Sequence, residues 1–111
     1  MHGRAHAYAR RTKMRESTIE ARLVREVRKL GGLCYKFVSP GAPGVPDRII
    51  ILPGGIVVFV ELKTEIGRLA KLQKWQIEEI SKRGANVRVL KGMDQVLAFL
   101  EEVKANAVCT A

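Results

Sequence analysis

Apolar residues recur early in the chain at a helical interval. Ile19, Leu23, Val27 and Leu30 form one stripe, with Arg and Lys on the other faces, and predict an amphipathic helix. Ser17-Thr18-Ile19-Glu20 has capping-box spacing and is expected to open that helix, with Gly31-Gly32 closing it. Leu33 to Val38 predicts a strand. The stretch 39–46 holds three prolines and two glycines, so it is expected to be a loop. Ile49–Leu52 and Ile56–Val60 flank Pro53-Gly54-Gly55, the pattern of a β-hairpin. Both strands are apolar at every position, so they are expected inside a sheet covered on each side. Gly67 precedes a second helix over about 68–83, with a stripe of Leu69, Leu72, Gln76, Ile77 and Ile80, closed by Gly84. Asn86–Leu90 predicts a short strand. Asp94 is the expected N-cap of a last helix carrying Val96, Leu97, Leu100 and Val103.

The order is helix, three strands, helix, strand, helix. The step from the hairpin through the second helix to the last strand is long enough for a parallel crossover. The expected class is α/β, a small mixed β-sheet flanked by helices in the order α-β-β-β-α-β-α.

At 111 residues, 47% hydrophobic and 28% charged, the chain has the size and composition of one folded domain. Twenty Lys and Arg against 11 Asp and Glu give +9, which points to a polyanionic partner, nucleic acid before membrane. Residues 1–15 hold Arg4, Arg10, Arg11, Lys13 and Arg15 with no acid, and the single folded domain is expected over 16–111. Such a tail is either a solvated terminus or an arm that follows a phosphate backbone. His2 and His6 lack the company that metal ligands need. The longest apolar run is far short of a membrane span, and no apolar stretch follows the basic start as in a secretory signal. Cys34 and Cys109 have no metal-ligand or disulfide-framework spacing. An intracellular, soluble protein is expected.

Asp47 stands at one end of the hairpin and Glu61 at the other. If a three-residue turn is centred on Gly54, residues pair when their numbers sum to 108, and Asp47 faces Glu61. Directly opposed residues share a face, and Lys63 follows two positions on, so all three are expected at one spot. A two-residue turn would separate the carboxylates. Converging carboxylates call for a cation, and a hard divalent ion prefers oxygen ligands. A lysine beside them can orient a water or stabilise charge on a phosphate oxygen. On spacing alone, an ordinary ion pair of Lys63 with either acid at a strand end accounts for the pattern equally well.

Gly44-Val45-Pro46-Asp47 followed by Glu61-Leu62-Lys63 resembles the signature of PD-(D/E)XK nucleases, a restriction-endonuclease-like core, in its virus-type replication-repair (VRR-NUC) branch. Gln73 and the segment 67–75 are similar to that family's helix after the catalytic strand. Ala70 departs from the small polar residue many members carry. The resemblance spans about residues 16–100. It implies Glu20, Asp47, Glu61 and the Leu62 backbone carbonyl around Mg²⁺ or Mn²⁺, and Lys63 at the attacking water or scissile phosphate. Gln73 would reach toward the site, while the capping box alone would account for Glu20. The implied activity is a metal-dependent DNA endonuclease acting on branched DNA such as Holliday junctions, as a homodimer, without a nucleotide cofactor or membrane. Arg10, Arg11, Lys13, Arg15, Arg68 and Lys71 are the expected phosphate contacts. The alternative is a non-catalytic nucleic-acid-binding module of the same fold that assists a partner protein. Trp75 and Tyr35 are expected in core or interface packing, and Cys34 buried in its strand.

Overall fold

Helix α1 spans Glu16–Lys29 and buries Ile19, Leu23 and Val27, the stripe read from the sequence. It begins one residue before the expected cap. Arg15 is the N-cap, in extended conformation, and no side chain caps the helix. Ser17 therefore lies inside the first turn. Met14 packs against the core ahead of the helix, which draws the chain into helical geometry early. Gly31, at φ +83°, ends α1. The computed structural model describes residues 14–110, with side chains through 106.

Four strands follow: β1 (Leu33–Lys36), β2 (Arg48–Leu52), β3 (Ile56–Lys63) and, after helix α2 (Lys71–Lys82), β4 (Asn86–Lys91). Helix α3 covers Gly92–Thr110. The sheet order is β1-β2-β3-β4, antiparallel for the first two pairs and parallel between β3 and β4. The element order and the parallel crossover agree with the sequence reading. Helix α2 is shorter than expected because residues 68–70 stay non-helical. Asp94 is not an N-cap. Gly92, at φ +83°, turns the chain directly from β4 into α3, and Gln95 Oε1 accepts the Lys91 amide at 2.8 Å.

The core lies on one face of the sheet. Even-numbered strand residues Cys34, Ile50, Leu52, Val58, Val60, Leu62 and Leu90 meet Ile19, Leu23 and Val27 of α1 and Val96, Phe99, Leu100 and Val103 of α3. Each such side chain contributes about 1.5–3 kcal/mol of apolar burial. Arg88 ties β4 to α3 through a bidentate pair with Glu102, at 2.6 and 2.8 Å.

The other face departs from expectation. Odd-numbered strand residues other than Glu61 are only partly covered, and Val57 stays 42% exposed. Helix α2 lies on this side but packs over β4 and buries no residue fully, so its predicted stripe is not a core stripe. Leu72 and Trp75 remain largely exposed. Continuous apolarity in β2 and β3 thus records one buried face and one half-open face.

Candidate active site

The hairpin sets the geometry. Its turn is Pro53-Gly54-Gly55, with Gly54 and Gly55 both at positive φ, and Gly55 N–H donates to the Leu52 carbonyl at 3.1 Å. Arg48 pairs with Val60 and Leu52 with Ile56, so paired numbers sum to 108 as the three-residue turn requires. Asp47, one residue before β2, therefore comes opposite Glu61. The Phe37 amide donates to the Asp47 carbonyl at 2.8 Å, which holds the end of the proline-rich loop against β1. Within that loop Gly44 has φ +88°, and a Cβ there would meet Leu72 at 2.9 Å. Glycine lets the loop close onto α2, where Gln76 Nε2 donates to the Pro43 carbonyl at 3.2 Å.

Asp47 Oδ2 accepts the Leu62 amide at 2.9 Å. Glu61 is 1% exposed, the one buried charged residue among those described. Its Oε2 accepts from Gln73 Nε2 at 3.1 Å and pairs with Lys63 Nζ at 3.5 Å. Its Oε1 is buried with no hydrogen-bond partner. Burial, then the neighbouring Asp47 charge, pushes the Glu61 carboxyl up to about 7, with Lys63 pulling the other way. Buried polar atoms are nearly always paired, so an orphaned carboxylate oxygen beside a second carboxylate fits a cation. The donor set present, hard oxygens with a lysine alongside, suits Mg²⁺ or Mn²⁺.

Gln73 has two tasks. Its Oε1 accepts the Ala70 amide at 2.9 Å and so caps α2 in place of Ala70, which has no polar side chain. Its Nε2 is thereby turned toward Glu61. A glutamate at this position could cap but could not donate.

Glu20 lies elsewhere. Its Oε2 pairs with Arg48 Nε at 3.0 Å, and Arg48 also donates to the Cys34 carbonyl at 3.3 Å. It neither folds back on Ser17 nor joins Asp47 and Glu61, and among the described residues no three Asp, Glu, His or Cys side chains converge to hold a metal. A second α1 carboxyl, Glu16, feels the Asp47 charge. Its pKa is raised by desolvation and by the Asp47 charge, lowered by Lys63, and raised further by Glu20. Glu16 was missed because the capping-box spacing places it before the helix. The signal available was its i, i+4 relation to Glu20.

Arg68 and Lys71 are exposed beside the start of α2, and Arg15 is exposed at the N-cap of α1. Arg10, Arg11 and Lys13 lie outside the described residues. An open groove of about 730 Å³ runs along α1 from Glu20 past Arg25 and Arg28 to Lys29, with Arg48 on its wall. These cations were also missed, being spread along a helix that also carries acids. Cys34 is buried as expected, whereas Tyr35 and Trp75 are each 54% exposed. Among the described residues no helix is long and apolar enough to cross a membrane.

A model of the VRR-NUC domain family matches residues 4–94. The chain is 46% identical over 81 residues to a protein of Acyrthosiphon pisum secondary endosymbiont phage 1 named "Putative nuclease p44", covering 73% of this chain and 87% of that one. A solved VRR-NUC domain superposes with a TM-score of 0.74 at 36% identity, over 78% of this chain and 94% of the other. A second VRR-NUC domain protein reaches 0.63 at 17% identity, over 81% and 88%, a likeness of fold.

Proposed function

The chain belongs to the VRR-NUC domain family, and from that membership together with Asp47 facing the buried Glu61 we propose a metal-dependent endonuclease that cuts branched DNA, four-way junctions first. The single observation carrying the metal is the unpartnered, buried Glu61 Oε1 beside Asp47. Asp47, Glu61 and the Leu62 carbonyl would hold Mg²⁺ or Mn²⁺, with the Glu16 charge of α1 close enough to be felt at Asp47. Such an ion, when bound, lowers the pKa of a coordinated water and neutralises phosphate charge.

The chain's own residues do the rest. Gln73 fixes the rotamer of Glu61 and keeps one oxygen committed. Lys63, bonded to that same oxygen, stands where an ammonium orients a water or meets charge growing on a phosphate. The basic groove along α1, with Arg68, Lys71 and the cationic N-terminal segment, tracks the phosphates of the DNA arms. Two opposed cuts need two sites, so the active form is a homodimer. The test is digestion of labelled four-way, fork, flap and linear duplex DNAs in Mg²⁺ and in Mn²⁺. Cutting concentrated at branched substrates is expected. Binding without cutting in either ion would leave a non-catalytic module that assists a partner protein.

The two α1 carboxylates are expected to behave differently. Glu16→Gln should slow cutting about a hundredfold with unchanged stability, since it removes charge next to the pair. Glu20→Gln should retain most activity but lower stability by about 1 kcal/mol, because Arg48 loses its partner. Single-turnover rates and thermal melts on both variants check this, and the reverse pattern would return the metal role to Glu20.

A further inference from the structure

Two bulky apolar side chains stand in solvent at the end of the sheet that carries Asp47 and Glu61. Val38 and Ile66 are each 70% exposed, more than any other large hydrophobic among the described residues. Val38 follows Phe37, whose amide holds the Asp47 carbonyl. Ile66 comes three residues after Lys63, the last residue of β3. Register puts Asp47, on the strand between, level with Glu61. Strands β1 and β3 are two spacings apart, roughly 10 Å, so an apolar tip leaves the sheet on each side of Asp47.

Packing does not account for isoleucine at position 66, which lies outside the core. Gly67 N–H donates to the Thr64 carbonyl at 3.0 Å and closes a turn whose central residues are Glu65 and Ile66. Gly, Pro, Asn, Asp and Ser dominate such positions, and a β-branched apolar residue there gains no burial. The turn is seated on both sides. A Cβ at Gly67 would meet Thr64 Oγ1 at 3.2 Å and Lys63 Cβ at 3.3 Å, and Glu65 lays its stem against Gly92. Ile66 is therefore held in place beyond Lys63. Each tip also lies two residues from an exposed cation, Lys36 beside Val38 and Arg68 beside Ile66.

We propose that Ile66 is a wedge that enters a base step of the DNA next to the phosphate being cut, with Val38 as a second apolar contact across the site. The inference rests on the nuclease reading and deepens it, by naming what the site takes: a strand at a branch point, where stacking on one side is already lost. Apolar side chains that enter a base step part the bases and kink the duplex, and isoleucine is among the residues that do so. Parting an intact stack is costly, whereas at a branch much of that cost has been met, so the wedge favours branched over linear DNA. Lys36 and Arg68 hold phosphates on either side of the parted step. Neither tip carries a group that reads a base edge, so the preference is for shape and not for sequence.

The experiment places 2-aminopurine, which brightens on unstacking, in the first base pair of each arm of a four-way junction in turn. The full chain is added in chelator, so that nothing is cut. Wild type is expected to brighten the probe in at least one arm, and Ile66→Ala to leave every arm dark. The same change should lower the ratio of junction to linear-duplex affinity about tenfold, through the junction alone. Ile66→Phe should restore both readings. Leu97→Ala, at an exposed apolar residue of α3, should match wild type. Ile66 is so exposed that melting temperatures should not move. A wild type that leaves every arm dark, an Ile66→Ala protein that brightens the probe as wild type does, or one that loses duplex affinity equally would each overturn the wedge. Cutting in Mg²⁺ separates the two readings: junctions cut without brightening remove the wedge and keep the nuclease, and brightening without cutting in Mg²⁺ or Mn²⁺ does the opposite.

Discussion

Replacing Glu61 with glutamine is expected to end strand cutting, by about a thousandfold or more, while making the metal-free protein harder to unfold at pH 8. The two effects share one cause. Glu61 is 1% exposed, faces Asp47, and has its carboxyl raised from 4.5 to about 7. A group whose folded-state pKa lies above its unfolded value favours the folded state in its protonated form. Below about 4.5 the side chain is protonated in both states and imposes no penalty. As pH rises through 7 the folded protein must hold the charge, and that stability is lost. Glutamine keeps the shape and an acceptor for Gln73 Nε2 but never ionises. The expected gain at pH 8 is about 1–3 kcal/mol, reduced by the lost Lys63 pair, or roughly 5–15 °C in melting temperature. Melts in chelator at pH 5 and pH 8 should show the gap between the two proteins widening with pH. A gap that is constant, or that reverses at pH 8, would mean that Glu61 carries no such penalty.

Asp47 separates chemistry from architecture when two replacements are compared. Its Oδ2 accepts the amide of Leu62, a residue with no exposed surface. Asp47→Asn keeps a carbonyl oxygen for that amide and loses the charge. Asp47→Ala loses both, leaving a buried donor unsatisfied at about 1–3 kcal/mol. Both variants should lose cutting to a similar extent, about a thousandfold. Only alanine should lower the melting temperature. DNA affinity should hold or rise in both, since a negative charge near the phosphates has gone. Binding titrations, melts and cutting rates on the pair decide it, and an asparagine variant that cuts at the wild-type rate would remove Asp47 from the metal.

The register of the site could be read from the chain because two local features agree. Pro53-Gly54-Gly55 supports a three-residue turn, and the flanking residues are apolar and mostly β-branched, so the strands pair from the turn outward. Gln73 was reached through the family resemblance rather than through the apolar pattern, and its Nε2 donates to Glu61. What misled was local pattern that tertiary contacts override. The capping-box spacing at Ser17 does not set the helix start, which lies at Glu16 with Arg15 as its N-cap, and Glu16 feels the Asp47 charge. Glu20 is claimed by Arg48, a pairing across 28 positions that no spacing rule reveals. Strand apolarity signalled burial but not what provides it, and β1 to β3 kept one face that no helix among the described residues covers fully.

Helix α2 holds the site from above yet buries none of its residues fully. Little free energy opposes its lifting from β4, whereas β3 is pinned between two neighbours. Backbone amides of α2 should therefore exchange with deuterated solvent sooner than those of β3, and equal protection would show the helix to be as firmly seated. With α2 lifted, the floor of the pocket would stay closed while one wall opens, and each such excursion would release Gln73 from Glu61. Entry and exit of the proposed ion would then require no rearrangement of the sheet.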